Sequence, residues 1–219
     1  MHQPVAGIDG CRSGWVIVTP GEAAVVSTFA AVLDALPSDC VLALDMPIGL
    51  LDAHETGGRE CDRAARKLLG RTRAASVFSP PPRCALGART LSEAQRLGAR
   101  ITLQTLNILP KIEEVDARMT PRLNTRVHEV HPELAFAALN RGTPVAANKK
   151  TAEGRVHRQR LLEQAGITVP AVPRGAAADD LLDACALLWS AFRIANNTFH
   201  AAPDNAPLDA RGLRMQIRW

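Results

Sequence analysis

The sequence predicts an α/β protein, and three observations lead to that prediction. Two short apolar segments, Val5 to Asp9 and Val41 to Asp45, have the composition of strands buried on both faces, and each ends in an aspartate. Turn residues at 12–14 follow the first segment and predict an antiparallel hairpin. The segment from Asp179 to about Ile194 is long and very apolar, which indicates a buried helix.

The remaining segments continue this mixture of strands and helices. Further strands are predicted at 15–19, 23–29 and 126–130, with a closing strand within 213–219, and further helices at 30–36, 59–69, 90–109, 111–118, 132–140 and 155–164. Gly70 and Pro110 are expected to end the helices that precede them. We interpret residues from about 52 to 124 as a helical insertion within a single domain that spans 1–219.

Composition limits the cellular setting that we expect. No apolar run approaches the roughly 18 residues of a membrane helix, so we expect no membrane association. The start of the chain, Met1 to Pro4, lacks the basic and apolar pattern of a secretory signal. The five cysteines are scattered and form no CxxC pair, which favours free thiols over a disulfide framework or a cysteine-based zinc site. We therefore expect a cytoplasmic protein.

The basic residues are unevenly distributed. The net charge is +4, and Lys and Arg cluster within 59–89 and again within 149–160. A phosphate-binding rim and two solvated helix faces are the alternative interpretations. The substrate-binding candidates are Arg12, Lys149, Lys150 and Arg155. Aromatic residues make up 4% of the chain and tyrosine is missing, which argues against a stacking platform for single-stranded nucleic acid.

Asp9 and Asp45 are the first candidate site residues. A charged aspartate at the end of an apolar strand is costly unless it is paired, protonated or bound to a metal. If the two strands are neighbours, the carboxylates lie a few ångströms apart and repel each other, and a divalent cation would relieve that repulsion. The alternative is that each aspartate caps its own turn, which is the better explanation for either residue alone but not for both together.

Further acidic candidates come from the late helix and from the strand at 126–130. Asp180 and Asp183 are three residues apart and share one side of the helix, whereas Asp179 suits the N-cap. Asp183 lies a full turn inside the helix, so we predict that its carboxylate faces the site. Glu129 joins the site if its strand continues, and a purely structural role fits it equally well. Glu133 is interpreted as a first-turn helix acid.

The order of these elements resembles the RNase H-like fold, particularly the Holliday-junction resolvases, in which Gly-Ile-Asp lies on the first strand and DxxDA opens the last helix. Nearly the whole chain is similar to an uncharacterised family of predicted nucleases with that fold, the domain of unknown function 429. The segments that carry the resemblance are GIDGCRSGW (7–15), LDMPIGL (44–50), CDRAARKLLG (61–70), EVHPELAF (129–136), NKKTAEG (148–154) and DDLLDACALLW (179–189). The resemblance implies a mixed five-stranded sheet flanked by helices.

The resemblance also implies an activity. It implies Mg²⁺ or Mn²⁺ bound by Asp9, Asp45 and Asp183, and a nuclease that hydrolyses phosphodiester bonds of nucleic acid or of a nucleotide-like phosphate substrate. Asp180 and Glu129 complete the implied set of catalytic acids. The resolvases usually carry glutamate where this chain has Asp45, and the shorter side chain would shift the metal. By analogy with the resolvases, a homodimer is implied.

Two alternatives to a nuclease remain open at this point. A non-catalytic RNase H-like binding protein would use the helical insertion as its surface, with Arg12 or Lys149 neutralising the acids. A nucleotide-binding ATPase of the actin-like fold would also begin with an aspartate on its first strand. That fold normally needs glycine-rich phosphate loops, and neither GxxxxGK[ST] nor GxGxxG occurs in the chain.

Overall fold

The computed structural model describes residues 3–219, and its centre is a mixed five-stranded sheet. Met1 and His2, at the start of the segment in which no secretory signal is expected, lie outside the described residues. The strands follow the order β3-β2-β1-β4-β5, in which β1 to β3 are antiparallel and both β4 and β5 run parallel to β1. Their bounds are β1 (Val5–Cys11), β2 (Gly14–Thr19), β3 (Glu22–Val26), β4 (Val41–Leu44) and β5 (Val127–Glu129). The predicted α/β class and mixed five-stranded sheet are confirmed, and the architecture is consistent with an RNase H-like fold.

Seven helices are found among the described residues and flank the sheet. They are α1 (Phe29–Ala35), α2 (Glu60–Arg73), α3 (Leu91–Arg96), α4 (Leu103–Arg118), α5 (Pro132–Leu139), α6 (Ala152–Gln164) and α7 (Ala178–Ala195). Short 3-10 turns occupy Ala74–Ser76, Arg83–Ala85 and Leu123–Thr125, and a small second sheet pairs β6 (Ala201–Ala202) with β7 (Ile217–Arg218). None of the helices within residues 3–219 combines the length and the hydropathy needed to cross a membrane. Residues 52–124 contain α2, α3 and α4, and their interpretation as an insertion stays a prediction.

Alternate residues of the central strands face two different cores. Ile8 and Leu44 pack on the side that carries α1 and α4. Val5 and Ala43 pack on the opposite side, against α5, α6 and α7. Successive side chains of a strand point to opposite faces of the sheet, so each central strand contributes to both cores. The result is a three-layer arrangement with helices on both faces of the sheet.

Helix α7 approaches β1 unusually closely at Gly7. A Cβ atom placed on Gly7 would lie 2.1 Å from the carbonyl oxygen of Ala184 and 2.2 Å from the amide nitrogen of Leu188. Any side chain at this position would therefore push the helix away from the strand. The absence of a side chain at Gly7 therefore allows the middle of α7 to lie directly against β1.

The structure corrects two of the predicted element boundaries. The strand predicted at 23–29 ends at Val26, because the Thr28 hydroxyl accepts a hydrogen bond from the amide of Ala31 at 3.1 Å and so caps α1. The helix predicted at 90–109 is wrong, since α3 and α4 are separate helices and Pro110 lies inside α4. Leu109 and Ile112 are fully buried on either side of Pro110, and this packing outweighs the hydrogen bond that proline cannot make.

Two further boundaries differ in a smaller way. Gly70 takes a φ of 57°, which interrupts the helical geometry there, but α2 resumes and ends at Arg73. The closing strand is confined to Ile217–Arg218, and Arg218 also forms an isolated parallel bridge with Val130. The closing strand thus pairs with β6 and reaches the end of β5 only through this bridge.

Candidate functional site

Three aspartates from three different elements converge at the carboxyl edge of the sheet. The register pairs Ile8 with Leu44, so Asp9 on β1 and Asp45 after β4 occupy corresponding positions on neighbouring parallel strands. Both lie on the α7 side of the sheet by strand alternation, and Asp183 comes from the second turn of α7. All three line one cavity of about 570 Å³. The predicted convergence of these carboxylates is present in the structure.

Lys149 is the cation that touches this cluster directly. Its ammonium group donates a hydrogen bond to Oδ2 of Asp183 at 2.5 Å. The Asp183 side chain is 4% exposed, whereas that of Lys149 is 37% exposed, so the lysine reaches inward from the rim. Burial disfavours the charged lysine, but Asp183 and then Asp9 and Asp45 outweigh burial and raise its pKa.

The pKa values of the three aspartates are raised, because Asp9 and Asp183 are buried, Asp45 is half-buried and the three carboxyl groups lie near one another. Burial raises the pKa of Asp9 well above its ordinary value, and the charges of Asp45 and Asp183 raise it further. Burial likewise raises the pKa of Asp45 to about 7 and that of Asp183 to about 6, and in both cases Lys149 opposes the shift while Glu133 adds to it. The upward shifts show that three negative charges in this cluster are unfavourable with Lys149 as the direct cationic partner.

Glu133 belongs to this site, although its position in the sequence suggests only a helix first-turn acid. It is 7% exposed and lines the same cavity as the aspartates. Its Oε1 accepts a hydrogen bond from Arg158 at 2.7 Å, but its buried Oε2 has no hydrogen-bond partner, and the nitrogen Nε of Arg73 lies 3.8 Å away. The available signal was Pro132, which starts α5 directly after β5 and so fixes Glu133 at the carboxyl edge of the sheet beside Asp45.

The two arginines beside Glu133 also hold the loop that carries Lys149. Arg73 donates from Nε to the carbonyl of Val145 at 2.7 Å, and Arg158 donates to the carbonyl of Ala147 at 2.9 Å. No local sequence pattern connects these arginines with the site. They fix the approach of Lys149 to the aspartates.

The structure places Glu129 outside the aspartate cluster. In the β4–β5 register Glu129 pairs with Leu44, and it shares the sheet face of Leu44 rather than that of Asp45. Its carboxylate accepts two hydrogen bonds from Arg59, at 2.6 and 2.8 Å, and a third from the amide of Ile48 at 2.8 Å. Glu129 therefore has a complete set of partners of its own.

A second group of potential metal ligands surrounds Arg59. Among the described residues, Cys61, Asp62 and Glu129 place their ligand atoms within 4.8 Å of one another, so by distance they could hold a metal ion. The guanidinium of Arg59 lies 2.7 Å from Asp62 and 2.6 Å from Glu129, and its side chain is 1% exposed. A fully buried arginine that bonds both carboxylates already neutralises them, so this group has the chemistry of a structural ion-pair network.

Asp180 lines the cavity but also caps its own helix. Its Oδ2 accepts a hydrogen bond from the amide of Ala177 at 3.0 Å. The N-cap of α7 is Ala177, so the prediction that Asp179 fills this position is wrong. Burial raises the pKa of Asp180, and the Ala177 amide opposes that shift. Asp180 is therefore an acidic residue of the cavity wall, and one of its carboxylate oxygens is already used to cap α7.

The predicted basic residues divide into two groups. Arg12 is exposed on the hairpin after β1 and lines the cavity near Asp9. Lys150 and Arg155 do not line it, and Arg155 instead donates a hydrogen bond to the carbonyl of Lys150 at 2.6 Å. Of the predicted substrate-binding residues, the structure brings Arg12 and Lys149 to the acids.

Two residues that sequence reasoning did not select also line the cavity. Lys111 donates from Nζ to the carbonyl of Gly14 at 2.5 Å and lies 4.5 Å from the centre of the Trp15 ring. His131 accepts a hydrogen bond at Nδ1 from the amide of Glu133, and burial lowers its pKa, so it is neutral near pH 7. His131 was open to prediction as a neighbour of Glu129 if the strand continued, whereas Lys111 was not, because it lies in the middle of α4 and the predicted helices broke at Pro110.

The fold and the cavity together define an α/β protein with an acidic cleft at the carboxyl edge of a mixed sheet. The model of the family described as "Protein of unknown function (DUF429)" matches residues 7–208, so the chain belongs to that family. No curated protein matches the chain, and no solved structure matches it either.

Proposed function

We propose that this protein is a divalent-metal-dependent hydrolase that cleaves phosphodiester bonds in nucleic acid. The observation that carries the proposal is the convergence of Asp9, Asp45 and Asp183, all on the same cavity, with Lys149 as their direct cationic partner. Carboxylates at such an edge repel one another, and a divalent cation is the partner that best relieves this repulsion.

The residues present fit Mg²⁺ or Mn²⁺. The candidate ligands are carboxylate oxygens, which these hard cations prefer over nitrogen or sulfur. Glu133 adds a buried oxygen that has no hydrogen-bond partner and could coordinate a cation instead. Asp9, Asp45 and Asp183 would hold the ion, with Glu133 beside them. A bound ion of this kind supplies an activated water and stabilises the leaving oxygen of a phosphodiester.

The chain's own cations would bind the substrate. Arg12 and Lys111 line the cavity beside the acids, where each can neutralise a phosphate oxygen. Lys149 would have a second role, because an ion held at Asp183 would compete with its ammonium group for the same carboxylate. Since Lys149 lines the cavity, its ammonium group would then be available to substrate phosphate.

A second candidate function is a non-catalytic binding protein of the same fold. The hydrogen bond between Lys149 and Asp183 supports it, since a lysine already neutralises one of the acids that a metal would need. In this case Lys149 is a permanent counter-ion of the aspartates, the cleft binds no metal, and the protein acts through a separate binding surface.

A cleavage assay tests the first proposal. Fluorescently labelled single- and double-stranded DNA and RNA oligonucleotides are incubated with the protein in Mg²⁺, in Mn²⁺ and in EDTA. We expect cleavage that needs the metal and falls by about 100-fold or more in Asp45→Asn. Asp34→Asn is the matched control, because Asp34 is exposed on α1 and lies outside the cavity. Cleavage that persists in Asp45→Asn at the wild-type rate would contradict the proposal.

The variant Lys149→Met separates the two candidates. If a metal competes with Lys149, removing the ammonium group should tighten Mn²⁺ binding by about tenfold while cleavage slows, because one competing positive charge is gone. If Lys149 is a permanent counter-ion, calorimetry should detect no Mn²⁺ binding in either protein, and the variant should only unfold at a lower temperature.

A further inference from the structure

A groove lined by tryptophan lies away from the acidic cleft, and we call it the tryptophan groove. It consists of two adjoining depressions that share Leu68, His200 and Trp219. The first, of about 440 Å³, lies against α5 and contains Trp189 and Arg193 from the C-terminal half of α7. The second, of about 620 Å³, is bordered by β6 and β7. Two of the three tryptophans of the chain thus meet in one groove, and both are partly exposed.

Each depression combines an aromatic face with a guanidinium group. The guanidinium of Arg193 lies 4.9 Å from the centre of the Trp189 ring in the first. That of Arg218 lies 4.6 Å from the centre of the Phe199 ring in the second, where Trp219 also lies 6.0 Å from the ring of His200. The same pairing of a flat π surface with a cation therefore occurs twice along the groove.

The arginines of the groove lack anionic partners. Within residues 3–219 no carboxylate lies within 4.0 Å of their guanidinium nitrogens, although Asp204 borders the second depression. The Nε of Arg193 is buried and makes no hydrogen bond. Arg218 uses its Nε to donate to Gln216 at 2.9 Å, and burial together with the nearby Arg214 lowers its pKa to about 10. The groove thus has positive charge that an anion would neutralise.

We infer that the tryptophan groove binds single-stranded nucleic acid, with successive bases stacked on its aromatic faces and the intervening phosphates at its arginines. Aromatic faces accept any base, and guanidinium groups whose hydrogen bonds go to the neutral oxygens of Thr198 and Gln216 rather than to a carboxylate suit the phosphodiester backbone. The repeat of the π-and-cation pairing in two adjoining depressions fits a strand of at least two nucleotides better than a single flat ligand. Although Phe and Trp are few in this chain, the fold places three of them, Trp189, Phe199 and Trp219, along this groove. The inference goes beyond the proposed hydrolase and does not depend on it, because stacking needs no metal.

The test is binding of a fluorescein-labelled 12-nucleotide oligothymidine, followed by anisotropy at low salt in EDTA. We expect Trp189→Leu and Trp219→Leu each to weaken binding by at least about fivefold, and Trp189→Phe to retain most of the affinity because it keeps a π face. Phe192→Leu is the matched aromatic control, since Phe192 is exposed on the same helix but does not line the groove. Arg193→Gln should weaken binding and reduce its dependence on salt, whereas Arg160→Gln on the exposed face of α6 should not.

Three results would overturn the inference. The first is no binding of the oligonucleotide by the wild-type protein. The second is equal loss of affinity in the groove variants and in Phe192→Leu, with circular dichroism showing that all of them are folded. The third is competition by duplex DNA or by AMP as effective as competition by the single strand, which would indicate a general basic surface or a mononucleotide site. Because every measurement is made in EDTA, failure of the proposed hydrolase activity would leave this result unaffected.

Discussion

Replacing Asp45 by asparagine should stabilise the metal-free protein at pH 8, because Asp45 is a destabilising charge. Burial and Glu133 raise its pKa from 3.8 to about 7, and no hydrogen bond to its side chain is found within the described residues. At about 1.4 kcal/mol per pKa unit, this shift corresponds to at most about 4 kcal/mol of free energy of unfolding above pH 7. Partial exposure of Asp45 and relaxation of the cleft reduce the expected gain to about 1–2 kcal/mol.

The dependence on pH identifies the origin of this gain. Folding raises the pKa of Asp45, so the Asp45 carboxyl group costs no free energy of unfolding below its unfolded pKa of about 4, where it is protonated in both states. As the pH rises from about 4 toward 7, the unfolded chain ionises first and the folded protein loses stability. The advantage of Asp45→Asn should therefore be full at pH 8 and should shrink steadily toward pH 5. In a protein of this size, about 1–2 kcal/mol raises the melting temperature by about 2–8 °C.

Thermal unfolding in EDTA, followed by circular dichroism at several pH values, checks this prediction. Asp34→Asn, on the exposed face of α1, controls for the loss of one negative charge. Added Mn²⁺ should raise the melting temperature of the wild-type protein more than that of Asp45→Asn, because a ligand stabilises the state that binds it. A variant that melts at or below the wild-type temperature at pH 8 would refute the view that Asp45 is a repelled, unsatisfied charge.

Three further predictions concern the framework of the site. Gly7→Ala should prevent native packing, because its Cβ would lie 2.1 Å from a backbone oxygen of α7; expression as a folded protein with unchanged near-ultraviolet dichroism would contradict this. Arg59→Met should lower the free energy of unfolding in urea by about 3–5 kcal/mol, because it leaves the buried carboxylates of Asp62 and Glu129 without a counter-ion. The folded fraction should bind Mn²⁺ as the wild-type protein does, because Arg59 bonds to Asp62 and Glu129 rather than to the three aspartates of the cleft. Burial, together with Arg218 and Arg214, lowers the pKa of His128 to about 3. Below its unfolded pKa of about 6.5 the unfolded chain binds a proton at His128 that the folded protein does not, so the folded protein loses stability as the pH falls from about 6.5 toward 3. Between pH 7 and pH 5, His128→Gln should therefore lose about 2 kcal/mol less free energy of unfolding than the wild-type protein. An equal loss in the two proteins over this pH range would contradict the lowered pKa of His128.

The parts of the site that could be predicted are those that depend on strand ends and helix spacing. Asp9 and Asp45 each end an apolar run, and the parallel pairing of those strands follows from the helix between them. Asp183 could be placed because it lies a full turn inside an apolar helix. In each case an aspartate stands within or beside an apolar segment, and this indicated that its carboxylate interacts with groups from another part of the chain or with an ion.

The parts that could not be predicted depend on contacts between distant segments. The sequence offered both Arg12 and Lys149 as neutralising cations and could not choose between them, because the loop of Lys149 is held by Arg73 and Arg158 through backbone carbonyls and no local pattern specifies such bonds. Glu129 has the same local pattern as a site residue, but one step of strand alternation turns it toward Arg59. Helix α4 continues through Pro110 because its neighbours are buried by tertiary packing, which overrides the local signal.

The most direct test of the metal site is the anomalous difference density of a crystal soaked in Mn²⁺. We expect a peak bounded by the carboxylates of Asp9, Asp45 and Asp183, accompanied by movement of Lys149 away from Asp183. A peak between Cys61, Asp62 and Glu129, or no peak in the cleft together with an intact Lys149–Asp183 hydrogen bond at saturating Mn²⁺, would contradict it.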